Sequence, residues 1–122
     1  MPEKEKILYI VTHGGEDPER ATFPFMLATA AQTMEVETVV MLQGAGVFLA
    51  KKGYLDHVSA AGLPPLKDLV QTFLSEGGQL LVCIPCIRQR KIAEDDLIEG
   101  AALTMAANVN QHILSANSTL VY

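Results

Sequence analysis

Four short apolar runs, at 7–11, 36–42, 79–83 and 119–122, constrain this chain more than any other feature. They are nearly continuous rather than alternating, as strands buried on both faces of a parallel sheet are. The segments between them have helical spacing. Thr22 is the expected N-cap of a helix with Pro24 in its first turn. That helix runs to about Glu35 and presents Phe23, Met26, Leu27, Ala30 and Met34 as its core face. A second helix spans 65–76, with Leu66, Leu69, Val70 and Phe73 on one side and Gly77-Gly78 as its stop. A third, Ala-rich helix spans 102–115, with Leu103, Ala106, Ala107, Asn110, Ile113 and Leu114 inward or near it. A short helix is expected at 47–51, an irregular link at 53–65, and an acidic-opened segment from Asp95 or Asp96 to Gly100. Strands alternating with helices predict an α/β domain around a mostly parallel sheet, with 1–122 as one domain.

The 122 residues are 49% hydrophobic, enough to fold and to build a core without staples. The net charge of −5 argues against a nucleic-acid partner, because neutralising phosphates takes clustered Lys and Arg. The one basic cluster, Arg88, Arg90 and Lys91, reads either as a solvated loop or as an anion contact. The start of the chain, 1–6, is charged and has no apolar leader pattern. No stretch approaches the ~20 apolar residues of a membrane helix. A cytoplasmic protein with no membrane partner is the expectation.

The only two cysteines, Cys83 and Cys86, lie three apart where the third apolar run ends. In a reducing compartment such a pair is more often catalytic, redox-active or metal-binding than a structural disulfide. The bland alternative is two buried cysteines packed as small hydrophobes. A zinc site wants four ligands, and His13, His57 and His112 are too scattered to supply them. A thioredoxin-type oxidoreductase needs its motif early and a later cis-proline, and no proline follows Cys86. A helical turn from Pro85 onward, with Arg88, Arg90 and Lys91 nearby, would lower a thiol pKa.

In open parallel sheets ligands bind beyond the carboxyl ends of the strands. The residues leaving those ends are His13 with Gly14-Gly15, Gln43 with Gly44-Ala45-Gly46, and Cys83 with Cys86. They are expected to share one rim. Gly14, Gly15, Gln43 and Gly44 are candidate anion contacts there, since glycine turns leave N–H groups accessible. No dinucleotide fingerprint and no P-loop is present.

The stretch Gly77-Gly78, Leu80-Leu81-Val82-Cys83, Arg90-Lys91-Ile92 and Glu94-Asp95-Asp96-Leu97-Ile98-Glu99-Gly100 resembles the DsrE/DsrF-like sulfur-relay family, whose members include TusD-type and YchN-like proteins. The ending Ser118-Thr119-Leu120-Val121-Tyr122 resembles that family's terminal strand. The resemblance implies a three-layer α/β/α sandwich of flavodoxin/Rossmann-like topology, assembled as a homotrimer or homohexamer. It implies that Cys83 carries a persulfide between a sulfur donor and an acceptor, proteins or small thiols. Cys86 departs from the relay subunits and looks like a Cys-x-Pro-Cys variant among peroxiredoxin-like members. The expected function is therefore a sulfurtransferase-like persulfide carrier without metal or cofactor. Cys83 is its nucleophile, Cys86 a resolving or second sulfur-binding thiol, and His13 an assisting rim residue. The alternatives are a thiol redox protein and a non-enzymatic ligand-binding or regulatory module.

Overall fold

A computed structural model describes residues 4–122; residues 1–3 of the charged N-terminal stretch lie outside it. Five strands form one sheet: β1 (Lys6–Val11), β2 (Glu37–Leu42), β3 (Gln79–Cys83), β4 (Ala101–Thr104) and β5 (Ser118–Val121). Their order is β4-β3-β2-β1-β5, and every neighbouring pair is parallel. Helices α1 (Pro18–Thr33), α2 (Leu66–Ser75), α3 (Ile84–Gln89) and α4 (Ala106–Ser115) connect them, with 3₁₀ turns at Gly44–Ala50, Tyr54–His57 and Glu94–Asp96. The expected α/β fold around a parallel sheet is what forms.

Helix α1 begins earlier than its sequence suggests. Asp17 is the N-cap, accepting from the Arg20 amide, and Pro18 takes the first helical position, where a missing N–H costs nothing. Thr22 lies inside the helix, buried, and donates its hydroxyl to the Pro18 carbonyl. The core face is also rotated. Ala21, Phe25, Ala28 and Ala31 are buried, while Phe23, Leu27 and Met34 are exposed. The helix is apolar nearly all round, so hydrophobicity does not select a face. Side-chain volume does: alanines let the backbone lie close to the sheet, and Phe25 meets Phe73 of α2 edge-on at 5.7 Å.

The second correction lies near the C-terminus. Residues 101–104 are β4, paired with β3 in the register Leu80↔Ala101 to Cys83↔Thr104, where a helix was expected from residue 102. Gly100, at φ +94°, turns the chain into it. Helix α4 therefore starts at Ala106, and none of its residues is buried. The inward positions expected there are mostly open, Leu114 to 86%.

The topology explains why. β4 and β5 are the two edges of the sheet, so α4 must cross its whole width, roughly 19 Å for five strands. Ten helical residues span about 15 Å. One short helix thus covers a face by itself, packing Val109 and nearby Ala116 on Leu8, Ile10, Val39, Met41 and Leu81. The opposite face, under α1 and α2, holds the larger cluster built on Tyr9, Phe25, Leu42, Leu49, Phe73 and Leu80.

Candidate functional site

Parallel pairing levels the strand ends. Val11 is in register with Leu42, and Leu42 with Val82, so Thr12, Gln43 and Cys83 leave the sheet in one row. The strand order reverses between β1 and β5, where a ligand crevice is usual in such sheets. Here Tyr122 occupies that position: its carbonyl accepts from the Thr12 amide at 2.8 Å and from Thr12 Oγ1 at 2.8 Å. The thiols stand two strands away, at the end of β3.

Cys83 is both the last residue of β3 and the N-cap of α3. Pro85 falls in the first turn of that helix, where its fixed φ suits the backbone. The turn carries Cys86 back over Cys83, and the two Sγ atoms lie 2.6 Å apart with both cysteines free. The Gly44 amide reaches across from the β2 rim and donates to Cys86 Sγ at 3.3 Å. Its loop is fixed from below: the Gln43 amide donates to the Val11 carbonyl at 3.0 Å, and the Gly46 amide to the Gln43 carbonyl at 3.0 Å. A Cβ on Gly46 would strike the Val11 carbonyl, so that position takes only glycine without rearrangement.

Cys83 also lines a cavity of about 200 Å³ on the α4 side of the sheet. Met41, Pro85, Met105 and Val109 make its wall apolar, and Gln43 and Asn110 are its polar groups. Cys86 does not line it. A larger hollow of about 430 Å³ lies along α2 and carries no nucleophilic thiol. Its Lys51 and Lys67 are paired at 3.0 Å with Asp96 and Asp56.

The thiol electrostatics differ from the expectation. Partial burial pushes the Cys83 thiol above its ordinary pKa, and the hydrogen bond shared with Cys86 pushes the same way. The Cys86 amide and the Arg90 guanidinium pull it down, but less. The turn and the basic residue foreseen from the sequence are both present; desolvation outweighs them. Arg90 itself is bound by Nη1 to the Cys86 carbonyl at 3.2 Å.

The rim residues divide. Gln43 and Gly44 meet the thiols or their cavity. His13 does not line it; its Nδ1 lies 2.8 Å from Glu16 Oε2. The Gly14 amide donates to the same carboxylate and the Gly15 amide to the Tyr54 hydroxyl, so these N–H groups are engaged. His112 is half-buried, its Nδ1 3.0 Å from Lys6 Nζ. Burial and that ammonium hold its pKa below the ordinary value, with Glu37 opposing. Among the described residues no group of three or more His, Cys, Asp or Glu is placed to hold a metal ion. Met105, Val109 and Asn110 were missed as site residues. Their signal was the 105/109 spacing on a helix whose true start was hidden by β4.

A parallel α/β sheet with free thiols at the carboxyl end of an inner strand defines the class. Residues 5–122 match the DsrE/DsrF-like family, and the chain belongs to it. The uncharacterized protein MJ0760 of Methanocaldococcus jannaschii is 32% identical over 113 residues, 93% of this chain and 41% of that protein. The chain thus spans about two-fifths of that relative. The uncharacterized protein MK0008 of Methanopyrus kandleri is 30% identical over 105 residues, 85% of this chain and 84% of that one. Among solved structures, the ychN protein of E. coli superposes with a TM-score of 0.82 at 18% identity, covering 97% of this chain and 99% of its own. MTH1491 of Methanobacterium thermoautotrophicum, a protein of unknown function, gives 0.69 at 12%, covering 98% and 100%. These two likenesses show the fold.

Proposed function

We propose that the protein is a sulfur-relay component, one domain over 1–122, in which Cys83 accepts a sulfur atom as a persulfide and hands it on. The observation that carries this reading is the placement of Cys83 Sγ, at the end of β3 on the wall of an apolar cavity. In the first step the Cys83 thiolate attacks the outer sulfur of a donor persulfide, R–S–SH. The donor S–S bond breaks, R–S⁻ leaves with the electron pair, and Cys83 holds the outer sulfur. A dry wall suits this intermediate, because it excludes water and stray thiols. Sulfur donors and acceptors, proteins or small thiols, are the partners. No metal or cofactor enters the step.

The reading places the carrier in the cytoplasm; no helix among the described residues is long and apolar enough to cross a membrane. It also includes assembly as a homotrimer or homohexamer. The exposed Leu103, Met105, Ile113, Leu114, Leu120 and Val121 support it, since one chain leaves them uncovered. His13, held by Glu16, receives no step.

The test is uptake of sulfur. Reduced Cys86→Ser protein mixed with a small-molecule persulfide and analysed by intact mass should gain one sulfur at Cys83, and Cys83→Ser should take none. Equal uptake by that variant would remove Cys83 from the mechanism.

One observation favours a second reading. With the thiols 2.6 Å apart, a Cys83 sulfenic acid formed by peroxide would be condensed by Cys86 to a disulfide and water. Peroxide consumption well above that of a free thiol would support it; a rate equal to free cysteine would discard it.

A further inference from the structure

Two features of the thiol pair are unequal between its members, and a third joins them. Cys83 lines the cavity and Cys86 does not. The Gly44 amide donates to Cys86 Sγ, from a loop anchored on the Val11 carbonyl. That contact fixes the Cys86 sulfur in place at the β2 rim. Finally, Cys86 Sγ lies 2.6 Å from Cys83 Sγ, closer than any non-bonded approach that substitution at sulfur requires and near the ~2.05 Å of a formed disulfide. Cys83 is thus placed to receive a sulfur from outside, and Cys86 is held behind it within reach of its sulfur.

Resting on the persulfide reading above, we infer that this pair does not only hold sulfur but reduces it: Cys86 attacks Cys83 Sγ of the persulfide and releases sulfide. The Cys86 thiolate forms the Sγ–Sγ bond. The bond between Cys83 Sγ and the outer sulfur breaks, and the outer sulfur leaves as HS⁻ with the electron pair. It is reduced by two electrons, and the two cysteines are oxidised to a disulfide. The Cys86 proton, lost on forming the thiolate, is taken up by the departing sulfide. The sum over both steps is R–SSH plus the dithiol giving R–SH, hydrogen sulfide and the intramolecular disulfide. Atoms and charge balance without any oxidant.

The geometry suits the in-line course of substitution at sulfur. Nucleophile and leaving group must lie on opposite sides of the central atom. Cys86 packs on the α1/α2 side with the larger core cluster, whereas the cavity that Cys83 lines lies on the α4 side. A sulfur on Cys83 that points into the cavity departs away from Cys86.

This gives the protein a place in a reaction sequence. Upstream must be a reaction that leaves sulfur as a persulfide. Downstream are a consumer of sulfide and a dithiol reductant that reopens the disulfide by exchange. A pure carrier needs no reductant; this protein needs one per turnover.

The experiment mixes fully reduced protein with glutathione persulfide in the absence of oxygen and of added reductant. Sulfide is trapped with a bimane reagent and the protein is weighed intact. The wild type is expected to release one equivalent of sulfide per chain over the reagent blank and to become lighter by two hydrogens. Cys86→Ser, with Cys86→Ala as a second dithiol-free variant, is expected to keep one added sulfur and release none above the blank. A wild type that keeps the added sulfur mass and forms no disulfide overturns the inference while leaving the carrier reading intact. So does sulfide release by either Cys86 variant at the wild-type rate. Absence of both uptake and release in every form overturns the carrier reading, and this inference with it.

Discussion

Cys83 occupies the junction of a strand and a six-residue helix, a place that ordinarily sharpens a thiol's acidity. Burial reverses the sign, and the hydrogen bond with Cys86 adds to it. The thiolate fraction at Cys83 therefore grows only as pH rises past the ordinary thiol value of about 8.5. Alkylation at Cys83, followed by peptide mass, should keep accelerating above about pH 8.5; a plateau reached below that value would contradict the burial argument. On the proposed relay reading, a sulfur donor docking over the cavity would add to the desolvation, so transfer would lean on proximity rather than on a high standing thiolate population. Legibility in the sequence stops at the same point. The residue types, their spacing and the basic neighbours are all visible in Cys83-Ile84-Pro85-Cys86 and Arg90. How much water the folded chain removes from one sulfur is not. Gly44 was visible as a glycine at a strand end, but its target became visible only when α3 put Cys86 opposite it.

At the scale of elements, three helices end in the same way. In α1 the Val36 and Glu35 amides donate to the Ala31 and Gln32 carbonyls; in α2 Gly78 and Gly77 donate to Phe73 and Leu74; in α3 Ile92 and Lys91 donate to Ile87 and Arg88. Each is a Schellman ending with a left-handed residue just past the cap. Gly77 suits that conformation, but Glu35 and Lys91 adopt it at φ 60° and 55°. The stop at Gly77-Gly78 was readable for that reason, the end of α1 near Glu35 was read without a glycine to mark it, and the end of α3 was hidden by a side chain that strains the position. Lys91→Gly should relieve strain of about 1–2 kcal/mol and lose roughly half of it to the entropy of glycine. The melting temperature should rise by about a few degrees, and a fall would show that the Lys91 side chain does more than solvate. β4 was illegible on related grounds: Ala101-Ala102-Leu103-Thr104 carries little strand preference and is a strand through its partner β3. With β4 read as helix, the cavity wall at Met105 and Val109 could not be placed. The face of α1 was illegible because large side chains point away from the sheet and small ones toward it.

For the whole molecule the decisive property is asymmetry. One face of the sheet supports a cluster of twenty buried residues and the other a cluster of five. The thin side is the one with α4, the exposed Met105, Ile113, Leu114 and Val121, and the Cys83 cavity. If assembly covers this side, Leu114→Lys should break the oligomer into smaller species in a sedimentation run. A side chain 86% exposed in the single chain should cost its fold no more than about 0.5 kcal/mol. An unchanged sedimentation pattern would move the contact elsewhere. Asymmetry also sets the order in which the structure comes apart. Free energies of local opening follow local burial, and α4 buries no residue of its own. It is held at one end by Lys6, whose ammonium meets His112 and Ser115, and at the other it walls the thiol cavity. By that measure α4 is among the elements of a lone chain that open most easily, and if it lifted the cavity would lose its roof while the inner strands and both cysteines kept their places. On the proposed reading, an oligomer that clamps α4 would guard sulfur bound at Cys83 and a chain shed from it would expose that sulfur, so that the number of subunits would control how long a persulfide survives.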